Sequence, residues 1–465
     1  MKSYSVFNGG KWRKNRGAII ILMTIALPVL LALAGLAIDS GRAYGVRAKL
    51  SAAVDAASLA AAKAVADGEA AGIAAANKYF AANFPSGFME SVPSAPTVAF
   101  NYSPSGDITV DVTANANMPT SFSRVIGLMD MDIGSNAQTI RRTVDLSFVI
   151  DNTTSLRLGA LGDVTQDVID RSKDFVSNFN ENFDRVALIK YAFGAEVPVG
   201  FNAGRGFSRS GIETEIDAFE FGGNGQPNQF TNISEGMWRG IDALQAANNP
   251  ASLRVIVFFT DGAPNTFASG FSFTGAPDKV GAIRTSSGAS GTPRGLWEVD
   301  MVAQGSPAPW NFGSNIDDRL TGLPQYYNAH NPLATDFLVV DPSHPRRPVT
   351  DYDPSTDSAQ DLYEKVNRVS RNLPESMAEF ARQNNIIVLT LGLGSRLQEQ
   401  TGPDNERGED MLLRMANDPK MLTIPALAGD FKPNQLQGVY CHAINEDALG
   451  PCFEEMLKVI IRLTI

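Results

Sequence analysis

The sequence predicts an α/β protein in three parts: an N-terminal transmembrane helix, a small α+β module, and a doubly wound, mainly parallel sheet with a long insertion. Three observations predict it. Residues Ala18 to Ile38 run without a charge, and two alternating segments follow between residues 97 and 112. Further on, the apolar runs Leu146–Ile150 and Val255–Thr260 each lead into an aspartate, with a stretch of helical spacing between them. At about 150 residues per domain the 465 residues accommodate two or three domains. The expected division is a cytoplasmic N-terminus 1–17, a transmembrane helix 18–38, a module 39–142 and a domain 143–465 with an insertion at about 265–360.

The stretch AIIILMTIALPVLLALAGLAI matches the roughly 20 residues a helix needs to cross the hydrocarbon core. Lys2, Lys11, Arg13, Lys14 and Arg16 precede it, so the positive flank places the N-terminus in the cytoplasm and the remainder outside. The following DSGRAYGVRAKL offers no small-x-small cleavage signal, and the expectation is a retained anchor. From Tyr44 to Phe84 the chain is Ala-rich, with Val46, Leu50, Ala53, Ala57, Ala61 and Ala64 at helical spacing, as though the anchor helix continued outward. Such a small-residue stripe suits close approach of another helix, or its alanines merely supply helix propensity.

Pro85, Gly87, Pro93 and Pro96 end that pattern, and Thr97–Tyr102 and Ile108–Val112 then read as a hairpin across Pro104-Ser105-Gly106. A short apolar stretch at Phe122–Leu128 and a strand near Met131–Ile140 complete the module. The N-terminal part resembles the TadE/TadG-like proteins of Flp (Tad) pilus assembly, through R16-G17, the apolar span, D39-S40-G41-R42-A43-Y44 and the run L50 to A62. The resemblance covers about the first 65 residues and implies a pilin-like module and other pilus-assembly proteins as partners. Relatives processed by prepilin peptidase carry Glu at the fifth position after the cleavage glycine, where this chain has Leu22.

Composition narrows function. Thirty-nine Lys plus Arg against 50 Asp plus Glu leave a net charge of −11, the wrong sign for neutralising phosphates, so nucleic acid is not an expected partner. Three histidines (His330, His344, His442) and two cysteines cannot form a His/Cys zinc centre of usual spacing and leave little for histidine catalysis. Cys441 and Cys452 are spaced to close a short disulfide loop outside the cytoplasm, or to remain two buried thiols.

The strongest chemical signal is D151-N152-T153-T154-S155 at the end of the first apolar strand, with T231-N232-I233 opening a helical stretch and D261-G262 ending the second strand. Two carboxylates and three hydroxyls at strand ends suit a small hard cation, which takes six oxygens and keeps some waters. Ligands of open α/β folds bind beyond the carboxyl ends of such strands. These residues resemble the von Willebrand factor type A domain and its metal-ion-dependent adhesion site (MIDAS). Asp151, Thr153 and Ser155 match D-x-[ST]-x-S, Thr231 the second-loop threonine and Asp261 the third-loop aspartate. Thr153 stands where serine is commoner and Leu156 where methionine is frequent. Arg185–Phe193 and Asn385–Gly394 fit two further strands of that family.

The resemblance implies a metal site holding Mg²⁺ (or Mn²⁺ or Ca²⁺) that takes an acidic residue of a protein ligand. The alternative reading of DNTTS is a turn and helix cap. Asp351, Asp353, Asp357 and Asp361 form an acidic series without the EF-hand glycine and glutamate, since Thr356 and Leu362 occupy those positions. Gly392-Leu393-Gly394 lacks the third glycine of a dinucleotide loop, and no phosphate loop or nucleophile elbow occurs. The expected protein is therefore not an enzyme but a membrane-anchored pilus-assembly or adhesion protein of a bacterial inner membrane, its second domain periplasmic or surface-exposed. A metal-dependent hydrolase, or a tether with an empty site, are the rivals.

Overall fold

The computed structural model describes residues 16–159, 161–222, 228, 230–302, 316 and 319–464. The basic flank Lys2, Lys11, Arg13 and Lys14, and residues 303–315 of the expected insertion, lie outside the described residues. The chain divides into two units, residues 1–101 with 108–140, and residues 102–107 with 141–465.

In the first unit α1 (Arg16–Ala64) contains Pro28 and an 18-residue window of mean hydropathy 2.6 that is 6% buried, long and apolar enough to cross a membrane. It does not continue to Phe84 as the alanine content suggested. Gly68, at φ +112°, turns the chain, and α2 (Glu69–Asn83) packs back on α1. The stripe of Val46, Leu50, Ala53, Ala57 and Ala61 is fully buried, because its small side chains admit α2 and a strand of the same unit. That stripe is therefore occupied from within and not open to another subunit.

Four strands complete the unit: β1 (Val92–Pro93), β2 (Thr97–Tyr102), β3 (Ile108–Pro119) and β4 (Asp130–Arg141), with β3 pairing all three others. Along β3 the inward positions are buried and the outward ones exposed or half-buried, the alternation of a sheet with one covered face.

The second unit is built on β5 (Val144–Asp151), α3 (Ser155–Leu158), α4 (Thr165–Val176), β6 (Arg185–Tyr191), β7 (Ala195–Val199), α5 (Arg209–Asp217), α6 (Ile233–Ala246) and β8 (Leu253–Thr260). There follow β9 (Thr266–Phe273), β10 (Ala276–Arg284), β11 (Arg294–Trp297), α7 (Ala359–Gln383), β12 (Ile386–Leu393), β13 (Gln400–Thr401), β14 (Glu406–Arg407), α8 (Gly408–Ala416), β15 (Tyr440–Ala443) and α9 (Leu449–Thr464). The main sheet runs β15-β12-β8-β5-β6-β7, parallel throughout except for β7 against β6.

Strands β5, β8 and β12 are buried on both faces, which explains why they read as continuous apolar runs. One face carries a core with Val168, Phe175, Ile212 and Phe453 from α4, α5 and α9; the other packs Met237, Ile241, Val366 and Met377 from α6 and α7. Helix α6 lies close on the sheet because of glycine: a Cβ on Gly236 would stand 2.9 Å from the Tyr191 ring and 3.1 Å from Val149. Gly236→Val is expected to lower stability by about 1–3 kcal/mol through overpacking, measured by urea unfolding; an unchanged midpoint would show that the helix can move away freely.

The insertion contains regular structure. Its strands β9–β11 form an antiparallel sheet, and Phe267, Phe271, Ile283 and Leu296 join the α6/α7 core. Buried Glu235 on α6 fastens it further, accepting from the Tyr327 hydroxyl at 2.6 Å and sitting 2.8 Å from His330 Nε2, while Trp238 stacks on His330. Strand β15, too short to register as an apolar run, adds a parallel edge. Its Cys441 is disulfide-bonded to Cys452 of α9, a short closed loop that stabilises by about 2–3 kcal/mol on chain-entropy grounds.

Candidate metal site

Strand order turns on β5: β6 follows on one side and β8 returns on the other, so the gap between the carboxyl ends of β5 and β8 is a switch point. Register pairs Ile150 with Phe259 and Asp151 with Tyr191, which sets Asp151, Thr260 and Asp261 side by side. Asp151 is wholly buried. One carboxylate oxygen accepts from the Thr153 backbone N–H at 2.9 Å, the other from the Thr260 hydroxyl at 2.7 Å and the Tyr191 hydroxyl at 3.3 Å. From there the loop continues outward. Thr153 Oγ1 lies 2.7 Å from Ser155 Oγ, and Ser155 donates to Asp261 Oδ1 at 2.7 Å.

Thr231 comes from the turn before α6, where Asn232 caps the helix through the Glu235 N–H. Its backbone N–H donates to Asn265 Oδ1 at 3.0 Å, and its Oγ1 would be 3.6 Å from a Cβ on Gly262. Thr153, Ser155, Thr231 and Asp261 line one cavity of about 610 Å³, with Asp151 behind them.

Electrostatics at this edge are unfavourable without a counter-charge. Burial raises the Asp261 carboxyl to about 7, with the charge of Asp151 adding to the rise and the Ser155 hydroxyl and Arg396 opposing it. Burial also raises Asp151, against the hydroxyls of Thr153 and Thr260. Two carboxylates and three hydroxyls are all hard oxygen donors, and the Thr153 and Ser155 hydroxyls now bond to each other and, through Ser155, to Asp261; this donor set fits a small divalent cation. Among the described residues no group of three or more His, Cys, Asp or Glu is placed to hold a metal. A cation here therefore depends on the hydroxyls. The acidic series is otherwise engaged: Asp353 accepts from Ser355, Asp357 pairs with Lys365 at 2.6 Å, and Asp361 caps α7 with Ser358.

Sequence reading missed the rest of the cavity wall. Ser286 and Ser287 come from the inserted sheet, Arg371 from α7, and Arg396, Glu399 and Thr401 from the segment after β12. Arg396 lies three residues past the end of β12, a position that could have flagged it; Ser286 and Arg371 carry no local signal. Tyr191 was legible only as a strand residue, yet burial and the Asp151 charge hold its phenol well above its usual range and keep it a donor.

Residues 146–263 match the family model of the von Willebrand factor type A domain, the class of domain defined by this sheet and its switch-point loops. Residues 17–64 match the model described as putative Flp pilus-assembly TadE/G-like. Comparison with the curated proteins finds no match. Similar solved structures include proximal thread matrix protein 1 from the mussel byssus, at 12% identity over 68% of this chain and 46% of that one (TM-score 0.33). The pilus adhesin SpaC from Lactobacillus rhamnosus GG matches at 13% over 79% and 34% (TM-score 0.38). The vWF domain of the type V pili tip protein Mfa5 from Porphyromonas gingivalis matches at 13% over 70% and 98% (TM-score 0.36). The chain spans less than half the length of the first two.

Proposed function

We propose that this is a single-pass, membrane-anchored Flp/Tad pilus-assembly or adhesion protein whose type A domain binds partners and does not turn over a substrate. Residues 18–38 cross a bacterial inner membrane with residues 1–17 cytoplasmic, by the positive flank, and the second unit is periplasmic or surface-exposed. Thr153, Ser155 and Thr231 hold Mg²⁺ (or Mn²⁺ or Ca²⁺), with Asp151 and Asp261 ligating directly or through water. The cation supplies a Lewis-acidic position for an acidic group of a protein partner.

The observation that carries this reading is the Thr153–Ser155–Asp261 oxygen chain opening into a cavity that Arg371 and Arg396 also line. The guanidinium of Arg396 favours an incoming carboxylate there, while that of Arg371 is buried and already donates to Asn367, Glu406 and Thr401. Titration calorimetry of Mg²⁺ and Mn²⁺ into the full chain, against Asp151→Ala/Asp261→Ala, tests it. Saturable binding present in the parent and lost in the variant is the expected result; a folded parent that binds neither ion would overturn the metal reading and leave a tether.

A further inference from the structure

The loop joining β3 to β4 in the first unit, residues 120–129, is held against α1 where the apolar stretch ends. Asp39, one position past Ile38 and fully buried, accepts from three successive backbone N–H groups of that loop: Ser121 at 2.9 Å, Phe122 at 3.0 Å and Ser123 at 2.8 Å. One turn on, Arg42 donates to the Met89 carbonyl at 2.9 Å and to Ser121 Oγ. Four residues before Asp39 the contact is closer still, since a Cβ on Gly35 would lie 2.4 Å from Phe122 Cβ. At 1.5 Å per residue Gly35 is about 4–5 Å inside the end of the charge-free stretch.

The side chains this anchoring presents are apolar and uncovered. Phe122 is 52% exposed, Val125 87%, Ile126 57%, Leu128 43% and Met129 64%. An aqueous setting gives no reason to hold five such groups outward on one short turn. Beside the apolar flank of α1 the same arrangement is favourable. The carboxylate at the rim is fully hydrogen-bonded, so its charge can lie next to hydrocarbon, and the apolar tips extend the surface of the helix sideways.

We propose that residues 122–129 are a second membrane contact, a hydrophobic loop seated in the interfacial layer of the leaflet from which α1 emerges, with lipid as its occupant. Arg124, whose Nε donates to the Thr120 carbonyl at 2.8 Å, sits within this loop at headgroup level. The loop would fix the azimuth of the first unit on the membrane, since a single helix is free to rotate about its axis.

This inference rests on α1 crossing the bilayer, and the experiment separates the two. Both native cysteines are in the disulfide, so the full chain in nanodiscs accepts one environment-sensitive fluorophore at Val125→Cys, Leu30→Cys or Leu59→Cys. Leu59, also exposed, lies about 30 Å along α1 beyond Ile38. Nitroxide-labelled lipids are expected to quench the label at residues 125 and 30 several-fold more than at 59, with iodide showing the reverse order. Quenching by lipid at 30 but not at 125 overturns the loop contact and leaves the anchor standing. Shielding of residue 125 from both quenchers means a protein covers it and overturns the proposal equally. Absence of lipid quenching at 30 overturns the anchor reading and the loop contact with it.

Discussion

Asp261→Asn is expected to weaken Mg²⁺ binding at least about 100-fold while leaving the metal-free protein more stable by about 0.5–2 kcal/mol. The two effects share one cause. Asp261 is buried beside Asp151, and both carboxyls are pushed up by burial, so the pair destabilises the fold until a cation neutralises it. The amide keeps an acceptor for the Ser155 hydroxyl, which now donates to Asp261 at 2.7 Å, and removes only the charge. Thermal unfolding with and without Mg²⁺, beside calorimetry, reads both. At 100 times the parent's dissociation constant the ion should stabilise the parent by about 2.7 kcal/mol and the variant by no more than about 0.4 kcal/mol. Undiminished binding in Asp261→Asn would place the cation elsewhere.

The second large effect concerns the buried ionic cluster beneath the cavity wall. Glu375 of α7 lies 2.7 Å from Arg347 and 2.8 Å from Arg414, and Glu406 of β14 lies 2.6 Å from Arg347. This cluster joins the end of the insertion, α7, β14 and α8. Glu375→Gln would leave Arg347 and Arg414 buried with Glu406 as their main remaining counter-charge, a loss of about 3–5 kcal/mol by denaturant unfolding.

The same carboxyl sets a pH dependence. Burial works to raise it, but Arg347 and Arg414 prevail and hold it at about 2 against an ordinary 4.5. A depressed carboxyl binds fewer protons folded than unfolded, so its contribution is full above about pH 4.5 and is lost as pH falls toward 2. The parent should lose up to about 3 kcal/mol across that window, and Glu375→Gln should flatten this part of the profile. An equally steep loss in the variant would assign the acid sensitivity to other groups.

Several features were legible because they are local. The charge-free stretch of α1 and the central strands β5 and β8 follow from continuous apolarity, and the hairpin β2–β3 from alternation around Pro104-Ser105-Gly106. Asp151 and Asp261 stood out because each closes a continuous apolar run. Other features depended on which residues meet. The alanine stripe looked available to a partner until α2 folded over it at Gly68. The strands inside the insertion were not legible, because Phe267, Phe271 and Phe273 become core only against α6 and α7.

By itself, the sequence determined the central apolar strands, the apolar span and the five oxygen-bearing residues at strand and loop ends. Hydrogen-bond geometry and periodicity act over a few residues, and a single chain displays them directly. Tertiary structure alone decided that Arg371, Arg396, Ser286 and Ser287 surround those oxygens, that Tyr191 and Thr260 support Asp151, and that Asp39 anchors an apolar loop more than 80 residues away. These pairings join segments far apart in the chain, and only strand order, helix packing and the burial of charge bring them within reach.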